Sequence, residues 1–326
     1  MQVNTNISNV IDGNAEKSKY DAEVKQVLSD PQILAWILKY TTKEFKAFSI
    51  EQIMDCIEGK PEVGIRPVRA GHYMKRIDGI NTEAAVPGEG KVFYDIRFRV
   101  ILPDGNRVGM IINVEAQKSS NPGYDIVTRG IFYCARMLSS QMGNDISAKE
   151  YDDLQKVYSI WICLDVPQKA EHSITSYRMQ KEDIHGHAAI NSRYDLMELV
   201  MVYLGREETA DEKGTELHGL LNTVLSDRLK PEEKKTILKQ EYNIAISVEL
   251  EGGLVRMCNL SEAIAEKNLE QGIEQGMLMT LISLIEKGRL TKEEAAEEVN
   301  MEVEAFEKLM QENVNLDKKR RMKRDI

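Results

Sequence analysis

The sequence predicts an α/β fold: a mixed sheet flanked by helices, followed by a helical C-terminal region. Three observations carry this expectation. Residues 91–101 (KVFYDIRFRVI) and 107–117 (RVGMIINVEAQ) alternate apolar and polar side chains around the turn signal Pro103-Asp104-Gly105-Asn106, as two strands of an antiparallel hairpin would. Residues 156–166 (KVYSIWICLDV) form a nearly continuous apolar run of strand length, the pattern of a strand buried on both faces. Segments with helical spacing stand before, between and after these strands.

Taken in order, the first ~20 residues are polar and without period, and they read as disordered or loosely attached. A helix is expected over 31–47, capped by Asp30 with Pro31 in its first turn. A shorter one is expected over 49–59, with Ser49 as cap and Gly59 as stop. Residues 60–90 read as loops with one short strand near 63–69. In the hairpin, Val92, Tyr94, Ile96, Phe98 and Val100 form an apolar row, with Asp95, Arg97 and Arg99 on the other side. On the second strand Asn113, Glu115 and Gln117 share the polar face. A helix over 124–142 precedes the 156–166 strand, and Gly143 is its natural stop. Beyond about 190, helical spacing recurs in 194–204, 215–229 and 262–286, and the last 40 residues add two short helices. Thr291 with Glu294 has the form of a capping box for the first, and Asn300 can cap the second. This divides the chain into a polar segment 1–30, an α/β domain 31–190, a helical region 191–311 and a basic tail 312–326.

Composition narrows the class. A 326-residue chain with 42% hydrophobic and 29% charged residues is that of an ordinary globular protein. No apolar run approaches the ~18–20 residues of a membrane span, and the N-terminus lacks the apolar core of a signal peptide. Cys56, Cys134, Cys163 and Cys258 are scattered, as reduced thiols of a cytoplasmic protein would be. The net charge of −10 argues against a uniformly basic nucleic-acid coat. Residues 66–136, however, hold eleven Lys or Arg against seven Asp or Glu, so a basic surface around a few carboxylates is compatible with the total.

The candidate chemistry lies in the hairpin. With a three-residue loop at Asp104-Gly105-Asn106, cross-strand partners have numbers summing to about 210, so Asp95 faces Glu115 and Arg97 faces Asn113. Two carboxylates directly opposite on a sheet repel by a few tenths to ~1 kcal/mol. A divalent cation between them would cancel that repulsion, and hard oxygen ligands suit Mg²⁺ or Mn²⁺. Gln117 on the same face could orient a water but cannot act as a base. Arg97, Arg99, Lys118 and Arg129 are near enough in sequence to meet phosphates. On spacing alone, a solvated polar face with a surface ion pair accounts for the same residues.

At YDIRFRVILPDGNRVGMIINVEAQ the sequence resembles the PD-(D/E)XK nuclease family transposases, the group that includes recombination-promoting nucleases. The likeness rests on Asp95 in one strand, the apolar run Ile111-Ile112-Asn113-Val114, and Glu115-Ala116-Gln117, with Gln where most of the superfamily has Lys. The helix with Tyr124, Arg129, Tyr133, Arg136 and Gln141, the strand KVYSIWICLD, and the EQGIEQGM stretch add to it. It spans most of 31–310 and is densest over 78–166. Two departures stand out: Tyr94, not Pro, precedes Asp95, and the literal Pro103-Asp104 sits at the hairpin tip, where turn chemistry explains it.

The resemblance implies a restriction-endonuclease-like core and a metal-dependent endodeoxyribonuclease that hydrolyses DNA with Mg²⁺ (or Mn²⁺) in recombination or mobile DNA. It implies Asp95 and Glu115 as metal ligands with Gln117 beside them, and an upstream acid for which Glu83 is the candidate. DNA is the implied partner, and duplex cutting makes a homodimer a reasonable expectation. A nuclease-like fold that has lost catalysis and serves in DNA binding or assembly is the alternative. A helical interaction protein with the α/β part as scaffold is a third reading. His185-Gly186-His187 lacks a third ligand and reads as a loop pair. The 291–311 helix pair is too acidic for a DNA reader, and the tail at 318–324 could touch phosphates.

Overall fold

The computed structural model describes residues 6–63, 83–85, 91–102, 109–119, 122–142, 151–205, 214–299 and 301–311. The chain divides into two compact units, Met1–Ser261 and Glu262–Ile326. Residues 64–82 with most of the strand expected near 63–69, the turn expected at 103–106, Gly143, Asn300 and the tail 312–326 lie outside the described residues.

The first unit is built on a six-stranded sheet. Its strands are β1 (Ile57–Val63), β4 (Ile96–Ile101), β5 (Gly109–Ser119), β6 (Lys156–Asp165), β7 (Ser173–Arg178) and β8 (Met197–Tyr203), in the order β1-β4-β5-β6-β8-β7. β1, β4 and β5 run antiparallel, β5, β6 and β8 run parallel, and β7 closes the far edge antiparallel to β8. A small second sheet pairs β2 (Glu83–Ala85) with β3 (Lys91–Phe93). The mixed sheet with helices on its faces is the expected restriction-endonuclease-like α/β arrangement. The hairpin register also holds as expected: Arg97 pairs with Asn113 and Ile96 with Val114.

The two faces of the sheet bury different side chains. On one, Ile96, Phe98, Val100, Met110, Ile112, Val114, Tyr158, Ile160 and Val202 meet the large core that also takes in α1 (Asn6–Leu28) and α2 (Pro31–Thr41). On the other, Ile111, Val157, Trp161, Leu199 and Met201 pack under α4 (Ile126–Ser139). The two local helix starts follow their capping chemistry. Asp30 accepts the Gln32 N–H at 2.9 Å ahead of Pro31, and Ser49 with Gln52 closes a reciprocal box at α3 (Ile50–Cys56).

Three elements differ from the sequence reading. Residues 6–28 are helical, and Val24, Val27 and Leu28 are buried; a stretch of mostly polar residues hid a helix that packs through its last turns. α3 stops at Cys56 rather than Gly59, because Ile57 enters the sheet opposite Val100. Residues 197–203 form β8, not helix. Its apolar run MELVMVY suits a central strand buried on both faces, where neither period is visible. A helix follows as expected at α5 (Glu216–Leu225), while α6 (Pro231–Gln240) lies between the expected segments and α7 (Val248–Glu286) begins well before residue 262. In the second unit, Leu281, Ala295, Ala296 and Phe306 form a small core. Thr291 and Glu294 cap α8 (Lys292–Glu298) as a box, and 303–311 is helical.

The starts of β6 and β8 are joined by a buried polar network. Lys156 Nζ lies 3.1 Å from both Glu44 Oε1 and Glu198 Oε2. The Tyr158 hydroxyl donates to Glu44 at 2.6 Å and the Ser176 hydroxyl to Glu198 at 2.6 Å. Burial alone would raise the Glu198 carboxyl, but the hydrogen bonds from Ser176 and Lys156 outweigh it and hold it below its ordinary value. Its contribution is therefore present at neutral pH and lost as pH falls through the carboxylate range. Replacing Lys156 by Met leaves buried carboxylates without their cation, and is expected to cost about 3–5 kcal/mol at pH 7. Urea unfolding checks this, and the loss should narrow toward acid pH.

Candidate functional site

Asp95 lies at a bend between β3 and β4, where the alternation of the strand reverses. Tyr94 joins the α4-side cluster, whereas Ile96 faces the large core, so the single apolar row expected from 92 to 100 is broken at Asp95. The reason is that β3 leaves the main sheet to pair with β2. The bend frees the Asp95 backbone from the ladder, and its N–H donates to Glu115 Oε1 at 3.0 Å. In return, the Ala116 N–H donates to Asp95 Oδ2 at 3.2 Å. Each carboxylate is thus gripped by backbone at the other's position. Asp95 and Glu115 are brought together as the hairpin register implied.

The polar face is not solvated. Glu115 is 5% exposed, Asn113 is fully buried and Arg97 is buried as well. What covers them is α4, whose start is fixed by Asp125 accepting the Val127 N–H at 2.9 Å. The helix lies close: a Cβ at Gly130 would stand 2.5 Å from Leu199 Cδ1 and 3.2 Å from Trp161 Nε1. This approach carries Arg129 and Tyr133 toward Glu115. Arg129 donates to the Tyr124 and Tyr133 hydroxyls, and its guanidinium lies 5.1 to 5.5 Å from the ring centres of Tyr124, Tyr133 and Trp161. Tyr94 packs edge-on against Tyr133, with ring centres 5.5 Å apart, and Arg97 lies over the Tyr94 ring.

The electrostatics follow from this burial. Loss of water, and then the charge of Asp95, raise the Glu115 carboxyl well above its ordinary value. The Asp95 N–H, Asn113 and Arg129 pull it down without offsetting the rise. Asp95 has a cation of its own: Lys25 Nζ on α1 lies 2.9 Å from Asp95 Oδ1 and 2.7 Å from Asp21 Oδ2, with its side chain 3% exposed. Burial would lower the Lys25 ammonium, yet Asp95 and Asp21 more than offset this and keep it above the ordinary lysine value.

The other residues expected at the site are dispersed. Gln117 is half-buried on the Glu115 face, in register with Cys163. Arg129 is half-buried beside the carboxylates, and Arg99 is half-buried, in register with Ile111 and Glu58. Lys118 is exposed, and strand alternation sends it to the side opposite Glu115. Glu83 has its backbone in β2, opposite Phe93. Lys25, Asp21, Tyr133 and Trp161 were not expected at the site. For Lys25 the sequence signal was slight: a Lys between Val24 and Val27 in a polar stretch. His185 and His187 are exposed, and His187 Nδ1 meets Asp183 at 2.9 Å. The four cysteines are buried and free; burial pushes the Cys134 and Cys163 thiols up to about 12.

Among the described residues, no group of three or more His, Cys, Asp or Glu is arranged to hold a metal. The pair Asp95–Glu115 suits Mg²⁺ or Mn²⁺ on other grounds. Mg²⁺ sites commonly use one or two carboxylates, with water and substrate phosphate completing the shell. Burial, and then the neighbouring Asp95, raise the Glu115 carboxyl, and a cation bound between the two acids would favour its ionised form.

Residues 84–245 match the model of the PD-(D/E)XK nuclease family transposases. No curated protein and no solved structure matches the chain. Among the described residues, no helix is long and apolar enough to cross a membrane.

The raised Glu115 carboxyl has a consequence for stability. The native group keeps its proton to higher pH than the unfolded one, so stability falls as pH rises from about 4.5 through the raised native value. In EDTA at pH 8, Glu115→Gln is expected to melt above wild type, with the gap closing as pH falls. Mn²⁺ should raise the melting temperature of wild type alone. Equal melting of the two proteins in EDTA at pH 8 would contradict the assignment of a destabilising carboxylate.

Proposed function

From the membership of residues 84–245 in the PD-(D/E)XK nuclease family transposases, we propose that this protein is a Mg²⁺- or Mn²⁺-dependent DNA endonuclease acting in recombination or mobile DNA. The observation that carries this reading is the pair of carboxylates, buried Glu115 and half-buried Asp95, held by crossed backbone hydrogen bonds. A stable fold gains nothing from two acids in low dielectric, whereas a cation site requires them. The metal, when bound, would lower the pKa of a water and offset charge on the phosphodiester.

The residues of the chain divide the remaining work. Asp95 and Glu115 hold the cation. Gln117, with both donor and acceptor on its amide, orients the attacking water but takes no proton, so the proton leaves to solvent or substrate phosphate. Arg129, pinned by its aromatic neighbours, presents a fixed guanidinium for a phosphate. Arg99 extends the same charge along β4. Arg97 is buried and acts on the site's field instead. Glu83 is the candidate for the additional upstream acid of the centre, and Lys118 meets substrate phosphate. The protein works in the cytoplasm on DNA, as a homodimer where both strands are cut.

The Lys25–Asp95 ion pair favours a second reading, in which the ammonium permanently takes the cation's place and the fold only binds DNA or assembles. Cleavage of supercoiled plasmid separates the two. The wild type is expected to nick in Mg²⁺ or Mn²⁺ and to stop in EDTA. Asp95→Ala and Glu115→Ala should each lower the rate by roughly 100-fold or more. Equal nicking by wild type and Asp95→Ala, or none with either metal, would remove the enzyme reading.

A further inference from the structure

We propose that Lys25 is a positioning residue of the site, delivering from α1 the fixed positive charge that β5 lacks because residue 117 is glutamine. The inference rests on the nuclease reading of Asp95 and Glu115. Its first support is geometric. Lys25 Nζ is 2.9 Å from Asp95 Oδ1 and 2.7 Å from Asp21 Oδ2, with 3% of its side chain exposed. Asp95 is therefore shared: Oδ2 takes the Ala116 N–H and Oδ1 takes the ammonium. The second support is energetic. Lys25 stands among Val24, Val27 and Leu28, which are buried in the main core, and an ammonium there costs several kcal/mol of hydration. The ammonium is held there by Asp95 and Asp21, so its place in the core answers to those carboxylates and not to the apolar neighbours around it. Asp21, half exposed, steadies the ammonium from the same helix four residues back.

The consequence is a pair of effects of opposite sign. With both carboxylates ionised, as cation binding requires, the trio Asp95, Glu115 and Lys25 carries one net negative charge; without Lys25, two. Removing the ammonium makes the carboxylates a stronger cation trap, and at the same time withdraws positive charge that helps offset the crowded phosphodiester. A lysine with only a packing role would, when lost, weaken metal binding and cleavage together. Lys25 acts through Asp95 and sets the charge and orientation of that ligand.

Two measurements on the full chain test this: calorimetric titration with Mn²⁺ in the absence of DNA, and plasmid nicking at saturating Mg²⁺. Lys25→Met, which keeps side-chain length, is expected to bind Mn²⁺ more tightly, on the order of threefold or more. Its nicking should fall on the order of tenfold or more. Lys25→Arg keeps the charge and should hold both quantities within about threefold of wild type. The proposal is overturned if Lys25→Met binds Mn²⁺ no more tightly than wild type, or nicks as fast. It is equally overturned if folded Lys25→Arg loses nicking as Lys25→Met does. A wild type that nicks nothing overturns the nuclease reading instead. Lys25 is then judged on the Mn²⁺ titration alone, where tighter binding by Lys25→Met upholds its part and equal or weaker binding refutes it. Should Lys25→Met not fold, the Lys25→Arg results decide.

Discussion

Two hydrogen bonds, from the Asp95 N–H to Glu115 and from the Ala116 N–H to Asp95, constrain the strand pair on which the first unit is built. A carboxylate in a protein interior must be hydrogen-bonded or paired, and here each acid takes a main-chain donor from the other's neighbourhood. For Asp95 to offer its own N–H sideways, the strand has to leave the ladder there. The chain does this by ending β3 at Phe93 and starting β4 at Ile96. The bend also turns Tyr94 to the α4 side, where it meets Tyr133. One local interruption therefore makes the site and joins it to the helix that covers it.

The rest of the fold maintains the low dielectric in which these acids interact. The parallel strands β5, β6 and β8 bury both faces, and the absence of a side chain at Gly130 lets α4 lie against Leu199 and Trp161. Water is thereby excluded from Glu115, and the carboxyl responds by holding its proton more tightly. Arg129 stays at the border of the buried region because three aromatic rings and two hydroxyls share it. At the opposite ends of β6 and β8 a second buried charge cluster, centred on Lys156, ties those strands to Glu44. There, one ammonium lies between two carboxylates, and the Tyr158 and Ser176 hydroxyls complete the network. At Asp95 and Glu115 main-chain N–H groups are the donors instead, and Lys25 reaches Asp95 from α1.

Much of this was legible in the sequence where one periodicity dominated. The hairpin register followed from the turn residues and the alternation of 96–101 against 109–114, and it brought Asp95 to Glu115 correctly. Asp30, Ser49 with Gln52, and Thr291 with Glu294 announced their helices through capping chemistry that acts within a few residues. β8 was misread because a strand buried on both sides has no polar face to display a period. α1 was missed because Val24, Val27 and Leu28, through which it packs, stand in a mostly polar stretch, and Lys25 was missed with it. Its significance depends on a contact across 70 residues, which no local pattern encodes. The break at Asp95 was hidden too, since Tyr94 continues the apolar row on paper while the backbone turns it to the other face.

The central claim is that Asp95 and Glu115 share one divalent cation. Crystals soaked in Mn²⁺ and measured at the manganese absorption edge test it without recourse to activity. The account predicts a single anomalous peak about 2.1–2.2 Å from a carboxyl oxygen of each residue, with Lys25 still beside Asp95. A peak bound elsewhere, or a site that stays empty with Lys25 closed over Asp95 at saturating Mn²⁺, would contradict it.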